Sequence, residues 1–176
     1  MKITIFLFSC VLIMSCLANA LARENEMAAL LPSDSEVTPW KLQSASRTYA
    51  GKPEDFTLIY DGGYDVYTKA GAVEGLRQAY RNNAEMEITL HRFSTVPGAR
   101  VFWAAQRNGF GGYQSVRVSP ALAGKAVLLR NGNDYMGLLV QGRYYVTFNL
   151  NSSDQNAAKS VDAFIIKCLA RIRNHG

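Results

Sequence analysis

The chain has 176 residues, of which 48% are hydrophobic and 19% are charged, and its formal net charge at pH 7 is +5. This length fits one domain with a sizeable hydrophobic core. The basic residues are scattered among acidic ones and form no basic stripe, which argues against a nucleic-acid-binding surface.

Residues 1–22 have the three parts of a secretory signal peptide. Lys2 precedes an apolar run over 3–17, and small residues follow it up to Ala20 and Ala22. The run is shorter than the roughly 20 residues that span a membrane. We therefore expect cleavage after Ala22 or Ala20, no membrane span afterwards, and a periplasmic or secreted protein.

The cysteines agree with an exported chain that needs no disulfide. Cys16 does not suit a lipoprotein signal, because Met14 occupies a position where a small side chain belongs. A cut after Ala22 removes Cys10 and Cys16 and leaves only Cys168, so no internal disulfide can form. That cut also removes one lysine and no acid, which leaves 154 residues, 18 basic against 14 acidic, with a net charge of +4.

After the signal peptide we predict an N-terminal extension and linker over 23–37 and a single domain over 38–174. Within the extension, 23–31 can form a short helix that docks on the domain, and a polar linker follows it. Loose alternation over 38–49 predicts the first strand.

A glycine pair interrupts the next predicted helix. Pro53 suits a first helical position, and the two acids after it suit the positive end of a helix over 53–60. Gly62 and Gly63 break the helix, which is expected to resume over 64–70 and to stop at Gly71.

A β-hairpin is predicted over 73–93, with strands at 73–81 and 84–93 around an Asn-Asn turn. The second strand alternates between a buried face (Met86, Ile88, Leu90) and a wet face (Glu85, Glu87, Thr89, His91). On this pattern His91 is interpreted as a surface residue. A helix over 95–107 follows.

Two further hairpins are predicted from strands at 125–130, 134–140 and 143–150, separated by glycine-containing turns. The stretch 109–123 is rich in glycine at its start and carries no clear period, although 116–118 could add a short strand.

The last helix carries the clearest pattern in the chain. Ser152 and Gln155 have capping-box spacing, and an apolar stripe then recurs at steps of three and four (Ala158, Val161, Phe164, Ile165, Cys168, Leu169, Ile172). Such a stripe must cover a sheet, and Cys168 is interpreted as a core side chain. The prediction is an α+β fold: an antiparallel sheet of five to six strands built from hairpins, with helices mainly on one face and a long C-terminal amphipathic helix.

Few residues suggest chemistry. The two histidines, His91 and His175, lack partners at metal-ligand spacing, and no nucleophile elbow or nucleotide-binding fingerprint occurs. The best candidate is the block Tyr60-Asp61-Gly62-Gly63-Tyr64-Asp65-Val66-Tyr67. Its tyrosines and carboxylates could form a ligand rim or a weak cation site around the flexible glycines; alternatively, Asp61 caps the second half of the helix and the tyrosines pack. We predict no cofactor, no metal site and no catalytic residue.

Several short motifs resemble a family of exported bacterial proteins known only as a domain of unknown function. They include Leu31-Pro32, Trp40 followed by Tyr49, the block ending in Asp61-Gly62-Gly63, and Gly142-Arg143-Tyr144-Tyr145-Val146. Asp61 replaces the family's usual asparagine, and Tyr64-Asp65 replaces its usual Ala-Glu. The resemblance implies an exported α+β domain and brings no activity with it.

Two functions remain open from the sequence. The first is a non-enzymatic extracytoplasmic domain that binds an envelope protein or a small ligand. It predicts an exposed apolar or aromatic patch on the sheet face away from the last helix. The alternative is a hydrolase or metal-dependent enzyme, which requires Asp61 and Asp65 to converge in a pocket with a third polar group.

Overall fold

The computed structural model describes residues 18–175, so most of the predicted signal peptide lies outside the described residues. The strands are β1 (Lys41–Ala50), β2 (Ala72–Arg81), β3 (Glu85–Phe93), β4 (Gln114–Val116), β5 (Ala126–Asn131), β6 (Asp134–Gln141) and β7 (Tyr144–Asn151). The helices are α1 (18–29), α2 (Asp65–Lys69), α3 (Val96–Asn108) and α4 (Ala157–His175), with 3-10 helices at Asp34–Glu36, Pro53–Leu58 and Pro120–Leu122.

Within the described residues, seven strands form one antiparallel sheet in the order β1-β2-β3-β7-β6-β5-β4. The predicted hairpins are confirmed, and β3 pairs with β7 to join them into one sheet. The expected count of five to six strands was wrong. The additional strand, β4, pairs only three residues with β5 and begins two residues before the short strand that the sequence left open at 116–118.

Helices cover both faces of the sheet, so the prediction that they lie mainly on one face was wrong. α1 and α4 contribute to the core on one face, whereas α3 and the 3-10 helix Pro53–Leu58 contribute to the core on the other. β6 shows the reason, because neighbouring leucines point in opposite directions and both are buried. Leu139 belongs to the core beneath α4, and Leu138 belongs to the core beneath α3.

The apolar stripe of α4 is buried as predicted from Val161 to Ile172, including Phe164 and Cys168, whereas Ala158 at its start is half-buried. Gly137 of β6 allows the close approach of the helix, since a Cβ there would lie 2.9 Å from Cδ1 of Ile165. The helix begins later than the expected cap at Ser152. Asp154 accepts a hydrogen bond from the backbone N–H of Asn156 at 2.7 Å and forms a turn that precedes the helix.

The predicted N-terminal extension shares the core of the domain. Its buried residues Met27, Leu30, Leu31 and Val37 lie in the same cluster as α4. Polar contacts hold it as well: the Tyr80 hydroxyl donates to the Pro32 carbonyl at 2.6 Å, and Arg171 donates to the Ala29 carbonyl at 2.7 Å. Arg171 also forms an ion pair with Glu36. Residues 23–37 are therefore packed against the sheet and α4.

Candidate functional site

The glycine-containing block predicted as a site lies between the 3-10 helix Pro53–Leu58 and α2. Gly63 has a φ of +69°, a left-handed conformation in which glycine is favoured, and this turns the chain into α2. Gly75 on β2 lets the preceding segment approach the sheet, because a Cβ there would lie 2.8 Å from Cδ1 of Ile59. The block is thereby held against the face opposite α4.

An aromatic cluster forms where this block meets the sheet. We define it as Tyr60, Tyr67, His91, Phe56 and Tyr145. The Tyr67 ring stacks on the His91 ring with centroids 4.6 Å apart and on the Tyr60 ring at 4.8 Å. A hydrogen bond of 2.7 Å joins the Tyr60 hydroxyl to Nε2 of His91.

His91 is fully buried, so its interpretation as a surface residue was wrong. At His91, this face of β3 is covered by the other rings of the aromatic cluster and does not contact water. Burial lowers the pKa of His91 to about 3, and the backbone of Tyr145 opposes this shift only in part. The ring is therefore neutral near pH 7. The side-chain Nδ1 has no hydrogen-bond partner among the described residues. Burial also raises the pKa of Tyr60 and that of Tyr145.

The predicted site residues are therefore divided between two environments. Tyr60 and Tyr67 enter the aromatic cluster and Tyr64 packs beside the core, whereas Asp61, Gly62, Gly63 and Asp65 are exposed. Lys69 donates to Asp65 at 2.6 Å along α2, and this hydrogen bond lowers the pKa of Asp65. Within residues 18–175 no three His, Cys, Asp or Glu side chains are grouped so that they could hold a metal ion.

A groove lies on the opposite face of the sheet, where α1 approaches neighbouring strands β2, β3 and β7. Its volume is about 480 Å³. We define the groove as the space lined by Arg23, Glu26, Met27 and Ala29 of α1, by Leu30 directly after it, and by Glu74, Arg92, Arg143 and Tyr144. None of the residues predicted as a site lines it.

An ion-pair network forms the floor of the groove. Glu74 is 4% exposed, and its two carboxylate oxygens accept hydrogen bonds from Nη1 of Arg23 at 2.8 Å and from Nε of Arg92 at 2.7 Å. This pairing offsets the desolvation cost of a buried carboxylate, and it raises the pKa of Arg92. The Tyr49 hydroxyl is buried and has no partner among the described residues; burial, and then the charge of Glu74, raise its pKa.

Sequence reasoning missed the groove because its residues come from four separate segments. Glu74 and Arg92 continue the strand faces that hold the apolar residues Leu76 and Leu90, which is the one signal that could have been used. Such a position is equally typical of the end of a strand, where charged side chains reach solvent. Only the strand register shows that Arg92 lies beside Glu74 and opposite Tyr144.

Comparison with known proteins supports the architecture. No family model matches the chain, and no curated protein matches it with significant sequence similarity. The chain is similar in structure to the extracellular domain of PknH from Mycobacterium tuberculosis, with a TM-score of 0.53 and 16% sequence identity. The similarity covers 86% of this chain and 96% of that domain. At this level of identity it establishes a shared fold.

The described helices also differ from membrane-spanning helices in length or apolar content. In residues 18–175 no helix is both long enough and apolar enough to cross a membrane.

Proposed function

We propose that this protein is an extracytoplasmic binding domain that holds a small ligand in the groove. The observation that carries the proposal is the groove itself, which is closed on one side by residues 23–30 and floored by an ion-pair network around the buried carboxylate of Glu74. Its volume of about 480 Å³ lies within the range of small-molecule sites, roughly 300 to 1,000 Å³.

Two further observations support the extracytoplasmic location. The similar fold belongs to a domain described as extracellular, and residues 1–22 have the composition of a secretory signal peptide. The resemblance to exported bacterial proteins of unknown function agrees with the same location. We propose that the leader is removed after Ala20 or Ala22 and that the remainder acts in the periplasm or outside the cell.

The alternative, a hydrolase that uses Asp61 and Asp65, lacks supporting geometry in the described residues. Asp65 is paired with Lys69, Asp61 is exposed, and neither carboxylate lines the groove. The prediction of an exposed apolar or aromatic patch on the sheet face away from α4 was wrong, because α3 and the aromatic cluster cover that face. The groove on the other face replaces it as the candidate binding surface.

The proposal is tested by asking whether small molecules enter the groove. The processed protein is incubated with the low-molecular-weight fraction of a periplasmic extract and washed, and the compounds released on denaturation are identified by mass spectrometry. We expect Ala29→Trp to abolish retention, because Ala29 lines the groove and an indole there would fill it.

Asn25→Trp is the matched control, since Asn25 is exposed on the same helix and does not line the groove. Both variants should unfold at temperatures close to that of the unmodified protein. Glu26→Trp provides a second obstruction should Ala29→Trp disturb α1. Equal retention by all four proteins would assign binding to another surface, and no retained compound in any of them would contradict a small-ligand function.

Export is tested separately by fractionating cells that express the full chain and sequencing the N terminus of the recovered protein. We expect a periplasmic or secreted protein that begins at Leu21 or Arg23. A product that keeps Met1 and remains in the cytosol would contradict this part of the proposal.

A further inference from the structure

The floor of the groove offers more hydrogen-bond donors than acceptors. Both carboxylate oxygens of Glu74 are already occupied, one by Arg23 and the other by Arg92. Arg92 uses its Nε for this ion pair, and its two terminal amino groups make no hydrogen bond with any residue in the range 18–175. Guanidinium groups can only donate hydrogen bonds, so these groups require an acceptor from elsewhere.

Arg143 adds to the same lining a cation that has no ion-pair partner in residues 18–175. It lies in the turn that enters β7 and is exposed. Counting the charged lining residues gives three arginines against two glutamates. The lining residues therefore carry a net charge of +1, with Glu26 exposed to solvent and Arg143 as the arginine without an acidic partner among the described residues.

The strand register brings these two arginines to one place. Arg92 on β3 is directly opposite Tyr144 on β7, and Arg143 immediately precedes Tyr144 in the chain. Tyr144 is half-buried and also lines the groove, so an aromatic side chain shares the lining with both arginines. A planar guanidinium suits the paired oxygens of a carboxylate or a phosphate group.

We propose that the ligand of the groove is a small organic anion whose carboxylate or phosphate group is bound by Arg92 and Arg143. This inference rests on the proposed function, since it names the chemical class of ligand for the same groove. Glu74 acts as a positioning residue that orients Arg92, and its own oxygens stay with the two arginines.

The test measures binding of three probes to the processed protein by calorimetry at constant ionic strength. The probes are sodium succinate, sodium phosphate and, as a cation of similar size, choline chloride. We expect at least one of the two anions to bind and choline not to bind. Arg143→Gln should weaken anion binding about tenfold or more, because it removes a charge-assisted hydrogen bond.

Arg100→Gln is the matched control, since Arg100 is an exposed arginine on α3 that does not line the groove. It makes the same change in net charge and should leave anion binding unchanged. A preference for succinate over phosphate would identify a carboxylate ligand, and the reverse preference a phosphate ligand. If both substitutions weakened anion binding equally, the effect would come from net charge alone and the inference would be overturned.

The two proposals fail in different ways. If neither anion binds while the extract still yields compounds that Ala29→Trp excludes, the groove is a ligand site but its ligand is not anionic. If neither the anions nor the extract compounds bind, the proposed function fails as well.

Discussion

His91 and Arg92 are neighbours on β3, yet their side chains enter opposite environments. His91 is 0% exposed and lies in the aromatic cluster, where burial keeps it neutral near pH 7. The Arg92 side chain is 22% exposed, remains charged, and lines the groove beside Glu74. A titratable side chain inside a protein is therefore a candidate for ligand binding only where an opening reaches it, and of these two residues Arg92 alone has one.

The largest effect on stability is expected from removing an aromatic ring from the aromatic cluster. Phe56 is 0% exposed and stacks beside His91, so Phe56→Ala should lower the free energy of unfolding by about 3–5 kcal/mol. Leu58→Ala in the same 3-10 helix is the control; Leu58 is 57% exposed, and the change should cost less than about 0.5 kcal/mol. Urea denaturation measures both, and equal losses would show that the cluster is not a packed core.

The neutral state of His91 should appear in the pH dependence of stability. Because its pKa falls from 6.5 to about 3 on folding, the unfolded chain binds a proton between these values and the folded chain does not. Stability is therefore unaffected above pH 6.5 and decreases as the pH falls below it. Between pH 6.5 and 4.5 the loss should be about 2 kcal/mol.

The window from pH 6.5 to 4.5 isolates His91 from the acidic groups. The pKa of Glu36 is lowered from 4.5 to about 2 by its hydrogen bond to Arg171, so the stability it contributes is lost mainly below pH 4.5. In His91→Phe the free energy of unfolding, measured in urea at each pH, should be nearly constant across the window. Parallel curves for this variant and the unmodified protein would contradict a buried neutral histidine.

Smaller effects on stability are expected in the groove, where water reaches the ion pairs. Arg92→Gln should lower the free energy of unfolding by about 1–2 kcal/mol, since Glu74 loses its less exposed partner. Arg23→Gln should cost less than about 1 kcal/mol, because the Arg23 side chain is 60% exposed. Thermal or urea unfolding without ligand compares them, and the reverse order would show that Arg23 is the main partner of the buried carboxylate.

Local sequence patterns identified most of the secondary structure. Alternation located the strands around Met86 and Tyr145, and the stripe through Phe164 and Leu169 located α4, because a residue on a covered face must be apolar. The positions of hairpin turns followed from asparagine and glycine. These features depend on residues close together in the chain.

Features that depend on distant residues could not be predicted in the same way. Alternation over 85–93 showed that β3 has two faces, but not that a second layer covers the face with His91. Tyr60 and Tyr67 of the predicted site contact the sheet through His91. The hydrogen bond between Tyr60 and His91 joins residues that lie 31 positions apart in the chain. The groove combines residues 23–30 with residues 74, 92 and 143–144, and no local pattern links them.

Arg171 connects the last turns of α4 to the wall of the groove. Its guanidinium holds the carbonyl of Ala29, which lines the groove, and the carboxylate of Glu36 just beyond. Trimming the chain before this residue would release the end of α1 and leave Glu36 without its cation. The shape of the groove wall beside α1 thus depends in part on a residue near the other end of the sequence, so this wall is complete only once α4 has packed onto the domain.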